Sequence, residues 1–332
     1  MKRSGAHRQQ NNRRDIRDSW TAADIPDLTG RLIIVTGANS GIGFEAAREL
    51  TRHGAHVVLA CRNRDKAQAA LDEIRAEIPD AAVEIMLLDL ASLASVRQFA
   101  EAFRAEHSRL DVLVNNAGIM MVPYGTTEDS FERQLGTNHL GHFALTGLLV
   151  DLLLETPGSR VVNVSSTGHH FGRIDFGNLM YRNGQGYSPA RAYGRSKLAN
   201  LLFTYELQRR YAAVGSDAIA VAAHPGGAHT NLGRYLEDRW YFGLFKRLEP
   251  LVAQSAAMGA LPILRAATDP EVQGGQYYGP SGFLQLRGLP VVVGSSRASH
   301  DEAVARRLWT VSEQLTGVRY TQLDEASAGE GT

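Results

Sequence analysis

The chain has 332 residues, 35 Lys and Arg balanced by 35 Asp and Glu, 44% hydrophobic residues, 33 glycines and one cysteine. That length and apolar content suffice for a sizeable core and exclude a disordered chain. A lone Cys61 excludes an internal disulfide and a Cys-rich metal site, and net neutrality removes any chain-wide pull toward nucleic acid or anionic lipid.

Residues 1–20 carry six basic side chains against two acids and read as a basic flexible tail. Arg13-Arg14 is followed by charged residues rather than an apolar core, so no secretory signal is read and a cytoplasmic enzyme is expected. No apolar run reaches the roughly 18–20 residues of a membrane span. Short apolar, β-branched runs then recur at 32–36, 56–60, 83–88, 112–115, 160–164 and 218–223. Helical patterns fill the gaps at 42–53, 65–78, 93–106, 131–155, 190–211 and 300–315. Sustained strand–helix alternation predicts a single-domain α/β fold over 21–318, a doubly wound parallel sheet with helices on both faces. Residues 319–332 read as a polar C-terminal tail.

The first strand runs into Thr36-Gly37-Ala38-Asn39-Ser40-Gly41-Ile42-Gly43, and a helix starts there. A turn without Cβ atoms lets backbone amides approach a pyrophosphate, and the helix N-terminus adds partial positive charge. With a second strand about 20 residues on, this is the context of a dinucleotide site. That second strand ends in Cys61-Arg62, where an NAD-selective site usually carries an acid. A guanidinium there favours a 2′-phosphate, so NADP(H) is expected, with NAD(H) as the alternative. Tyr193 and Lys197 are four apart on a helix and share a face. An ammonium beside a phenol favours phenolate, moving its pKa down from about 10. The strand at 160–164 delivers Ser165 and Ser166 to the ligand-binding edge of the sheet.

The spacing Thr-Gly-x3-Gly-Ile-Gly at 36–43, with Asn115-Asn116-Ala117-Gly118, Tyr193-x3-Lys197 and Pro225-Gly226 in that order, resembles the short-chain dehydrogenase/reductase superfamily over about 28–280. The resemblance implies a Rossmann fold with a mainly parallel seven-stranded sheet, and a catalytic set of Asn138, Ser166, Tyr193 and Lys197, with Ser165 as the alternative serine. In that set Tyr193 exchanges the proton, Ser166 orients the reacting oxygen and Lys197 holds the cofactor ribose. Asn138 helps hold a water leading from the lysine. The cofactor would lie along Gly37, Asn39, Ser40, Gly41, Ile42, Gly43 and Arg62. It also implies Asp89 and Leu90 beside the adenine, Asn115 near the adenosine ribose and Thr230 at the carboxamide. No metal is expected, despite His169, His170, His224 and His229.

Ser166 and Tyr193 stand 27 positions apart, a long gap that resembles the retinol-dehydrogenase and WW-domain-oxidoreductase branch. Bulky lipophilic carbonyls or alcohols are then the expected substrates. An aromatic-rich stretch within about 228–255 is the expected substrate lid, with contact to a membrane surface as a lesser reading. Homodimers or larger homo-oligomers through the apolar faces of 131–155 and 190–211 are a habit of the family. The rival function is a catalytically silent NADP(H)-binding sensor or scaffold, against which the intact four-residue set argues.

Overall fold

The computed structural model describes residues 19–227 and 254–324. Its strands and helices alternate as β1 (Leu32–Thr36), α1 (Gly41–Arg52), β2 (His56–Cys61), α2 (Arg64–Glu77), β3 (Val83–Leu87), α3 (Leu93–Glu106) and β4 (Val112–Asn115). After a loop come α4 (Arg133–Leu135), α5 (Gly141–Leu148), α6 (Val150–Glu155), β5 (Arg160–Val164), α7 (Pro189–Ala213) and β6 (Ile219–Ala223). The last elements are α8 (Ala256–Thr268), β7 (Tyr277–Pro280), β8 (Pro290–Val292) and α9 (Glu302–Thr316).

The strands order as β3-β2-β1-β4-β5-β6-β7-β8. All pairs are parallel except β7–β8. The sheet thus has eight strands where seven were expected. The extra one is a three-residue return after β7, too short to read as a strand in the sequence. Side-chain alternation splits each buried strand between two cores. Ile33, Val35, Val57 and Leu59 face α1, α2 and α8, while Leu32, Ile34, Val58 and Ala60 face α3, α5 and α7.

Three expectations need correction. The helix expected over 131–155 is broken: Gly136–Leu140 form a π-turn, and Leu149 interrupts the run at φ −114°, ψ 7°. A π-turn inserts an extra residue and turns the side chains after it, which an apolar period does not reveal. Trp20, assigned to the N-terminal tail, is buried in the first core. Tyr320 and Leu323, assigned to the C-terminal tail, are likewise buried, and the Tyr320 hydroxyl donates to Phe143 O at 2.7 Å.

Part of the apolar faces of 131–155 and 190–211 is packed by the chain's own α9. Leu308 lies with Leu198 and Leu202. Trp309 meets Phe143 and Phe203 with ring centroids 5.2 and 5.7 Å away. Among the described residues no helix is long and apolar enough to cross a membrane. The described chain leaves at Gly227 and resumes at Gln254 as a closed neck. Gln254 N donates to Gly227 O, and Gln254 Nε2 to Pro225 O, both at 2.8 Å. Gly227 N donates in turn to Leu286 O in the β7–β8 connection. The expected lid and Thr230 lie outside the described residues, as do residues 1–18 of the expected tail.

Candidate active site

The chain reverses its winding between β1 and β4, and a cleft of about 370 Å³ opens at the C-terminal ends of these strands. Gly37, Asn39, Ser40, Gly41, Ile42, Gly43, Arg62, Asp89 and Leu90 all line it. Gly37 and Gly41 take φ of +69° and +57°, the left-handed region. A Cβ on Gly43 would come within 2.4 Å of Asn116 Nδ2 and 2.5 Å of Gly37 O. The loop therefore fits a close-lying phosphate backbone, with the N-terminus of α1 behind it. The Arg62 side chain is 75% exposed and lies 3.7 Å from Asp89. Cys61 is buried, and burial pushes its thiol up to about 11, which makes it a packing residue rather than a reactive one.

Asn115 does not reach the cleft. Its Nδ2 donates to Asn163 Oδ1 at 2.8 Å and Thr146 Oγ1 at 3.1 Å inside the protein. Asn115 and Asn163 are register partners on β4 and β5, so their side chains leave the sheet on the same face. Asn116 takes the place at the cleft, and its Nδ2 donates to Thr36 O at 2.8 Å. Thr36 Oγ1 accepts from the amides of Asn116 and Ala117, both at 2.9 Å, and pairs with His142 Nε2. Sequence reasoning missed Thr36 and His142 as site residues. The only signal was the hydroxyl directly before Gly37.

The four expected catalytic residues converge beyond the loop. Ser166 follows β5 with an extended backbone and opens a 3-10 turn. Its Oγ accepts from Gly168 N at 3.1 Å, and its hydroxyl lies close enough to the Tyr193 phenol to favour the phenolate. A Cβ on Gly168 would lie 3.1 Å from the Tyr193 ring and 3.4 Å from Ser166 Oγ, so the chain passes directly against both groups. His169 holds this turn. Its Nε2 accepts from Ser296 N at 3.0 Å, so the ring is neutral and Nδ1 donates to Ser166 O at 2.6 Å. Burial pushes His169 down to about 4, in keeping with that tautomer. Ser165, the alternative serine, is turned inward and donates to Lys197 O.

Tyr193 and Lys197 sit one turn apart on α7, both buried. Lys197 Nζ donates to Val164 O at 2.9 Å and lies 5.8 Å from the Tyr193 ring centre. Burial pushes the lysine down to about 8. The Tyr193 phenol, however, is held above its ordinary value by burial, with the Ser166 hydrogen bond acting in the opposite direction. The expected depression by Lys197 is not found: desolvation of the phenolate sets the direction, and Ser166 is the group that opposes it.

Asn138 sits in the π-turn with its side chain fully engaged. Its Oδ1 accepts from Ile119 N at 2.8 Å, while Nδ2 donates to Ile119 O and Ser196 Oγ, both at 2.9 Å. A Cβ on Gly118 would lie 3.2 Å from Asn138 Oδ1 and 3.6 Å from Lys197 Nζ. Asn138 thus ties the cleft loop to α7. The lengthened segment between Ser166 and Tyr193 lies beside this centre. Tyr187 donates to Val122 O, and Arg195 stacks 4.0 Å from the Tyr181 ring.

The profile of the short chain dehydrogenase family matches residues 31–239. Retinol dehydrogenase 13 of Homo sapiens is 42% identical over 318 residues, covering 93% of this chain and 92% of that one. Retinol dehydrogenase 11 of Mus musculus is 44% identical, covering 88% of each. Among solved structures, an uncharacterized protein of Mycobacterium paratuberculosis superposes with a TM-score of 0.75 at 46% identity, covering 91% of this chain and 98% of that one. A short chain dehydrogenase of Shigella flexneri complexed with NADP gives 0.59 at 25% identity, covering 76% and 97%.

Proposed function

Because the chain belongs to the short-chain dehydrogenase family, and so interconverts CH–OH and C=O groups with a nicotinamide cofactor, we propose that its cofactor is NADP(H) and its substrate a bulky lipophilic carbonyl compound or alcohol. The observation that carries the cofactor choice is the end of β2. A buried, uncharged Cys61 stands where an acid would hold ribose hydroxyls, and Arg62 follows at the rim of the cleft. A 2′-phosphate would draw Arg62 from its loose pairing with Asp89 into a charge-assisted contact. The relative complexed with NADP supports this. The substrate class is supported by the name retinol dehydrogenase on several relatives and by the long segment between Ser166 and Tyr193.

When bound, NADP(H) supplies or accepts the hydride. Ser166 Oγ orients the substrate oxygen. Tyr193 O–H gives that oxygen a proton in reduction and recovers it in oxidation. Because its phenol is held up by burial, Tyr193 rests as the proton-bearing acid that reduction needs. Lys197 titrates near 8 and is mostly ammonium at pH 7, so its charge stands against the phenolate as that forms. Asn138 acts as a positioning residue through Ile119 and Ser196.

The test is NADPH and NADH kinetics with retinal-like, steroid and aromatic ketone substrates, for the wild type and Tyr193→Phe. NADPH preference is expected, with kcat in the variant down about 10²–10⁴-fold and NADPH binding kept. A clear NADH preference overturns the cofactor choice. Binding of NADPH with no turnover by the wild type favours the sensor reading.

A further inference from the structure

β2 ends at Cys61 beside the cleft and begins at His56. At about 3.3 Å per residue the two ends stand roughly 16 Å apart. At the His56 end, Glu84 of β3 points its Oε1 to within 3.0 Å of His56 Nε2 and 2.9 Å of His107 Nε2. Glu106 is the last residue of α3 and His107 follows it. One ligand atom each from Glu84, Glu106 and His107 lies within 4.8 Å of the others. The His56 and His107 rings meet edge to face, with centroids 5.7 Å apart.

These close approaches are not hydrogen bonds. Glu84 Oε1 and His107 Nε2 are both withdrawn from solvent with no hydrogen-bond partner among the described residues. Buried polar atoms left this way are unfavourable unless another group serves them. A cation between the nitrogens and the carboxylate oxygens would satisfy all of them at once. Donor atoms on a tetrahedral zinc ion, each about 2.0–2.1 Å from the metal, stand about 3.3 Å apart. Glu84 Oε1 stands within a few tenths of an ångström of that spacing from each imidazole, while the exposed Glu106, within 4.8 Å of Glu84 and His107, and the His56 ring would draw in by side-chain rotation to complete the shell. Two carboxylates balance a dication, and the C-terminus of α3 adds partial negative charge.

We propose that His56, Glu84, Glu106 and His107 form a binding site for a divalent transition-metal ion of the zinc type. Two imidazoles with two carboxylates favour that class over magnesium or calcium, which take all-oxygen shells. The ion would pin β2, β3 and the end of α3 together at the edge of the sheet opposite the cleft, apart from the hydride chemistry.

The test uses the untagged full-length chain, stripped with EDTA and titrated with Co²⁺, then with Zn²⁺. One Co²⁺ per chain is expected, with the intense visible d–d absorption of a four-coordinate ion, displaced by Zn²⁺. Zn²⁺ at a hundred times its Kd should shift the unfolding equilibrium about a hundredfold toward the native chain. Glu84→Gln and His107→Asn should each lose the cobalt band while keeping the wild-type circular dichroism, and His56→Ala should weaken binding. Absence of a stoichiometric band in the wild type overturns the proposal. So does its persistence in both Glu84→Gln and His107→Asn, which would move the ion to other histidines.

Discussion

Tyr193 is subject to two opposing influences. Burial holds its proton on, and the Ser166 hydroxyl eases it off. Arg62 is the opposite kind of residue, exposed and only loosely paired, so its contribution comes from what binds beside it. Replacing Arg62 with Ala should raise the KM for NADPH about tenfold, the lower end for a charge-assisted hydrogen bond, and leave that for NADH unchanged. Steady-state kinetics with both cofactors check this, and an equal rise in both would remove the 2′-phosphate role. Asn115 shows why neighbouring residues in a motif do not share a role. One step along a strand turns a side chain to the other face, so Asn115 stays in the core while Asn116 lines the cleft.

At the scale of elements, the glycine turn joins β1 to α1 with no room for a side chain at Gly43. Gly43→Ala would drive a methyl into Asn116 Nδ2 and the Gly37 carbonyl. It should destabilise the fold by about 1–3 kcal/mol and abolish NADPH binding, read by urea unfolding and by nucleotide fluorescence. Much of this level was legible in the sequence. The six strand runs fall within a residue or two of the strands, because each is a short apolar run and all but the edge strand β3 are buried on both faces. The glycine spacing located the cleft, and the Tyr193–Lys197 spacing placed two buried polar side chains one turn apart on α7, since both depend on local chain geometry. The π-turn around Asn138 was not legible, because its apolar spacing matches that of a regular helix. β8 was also not legible, being three residues long and paired through a distant return. The packing of α9 over α5 and α7 is a long-range contact that no local pattern encodes.

Over the whole molecule, several histidines are buried in their neutral form. His142, His169 and His224 are each pushed down to about 4 by burial. In the unfolded chain they titrate near 6.5. Their folded values are depressed, so between these limits the unfolded chain binds protons that the fold refuses. Stability is full above about pH 6.5 and drains as pH falls toward 4. Glu132, held up by burial, acts in the other sense and offsets part of this. The urea midpoint should therefore fall from pH 7.5 to pH 5.5, and less steeply in His142→Gln. A flat profile would contradict neutral burial. The neck that joins Gly227 to Gln254 has a different kind of consequence. Its hydrogen bonds hold the two ends of the intervening stretch together independently of that stretch's sequence. The neck thus acts as a brace: Gly227 N bonds Leu286 O while Gln254 bonds Gly227 and Pro225, so the two points of the chain and the β7–β8 connection hold the rim of the sheet as one unit.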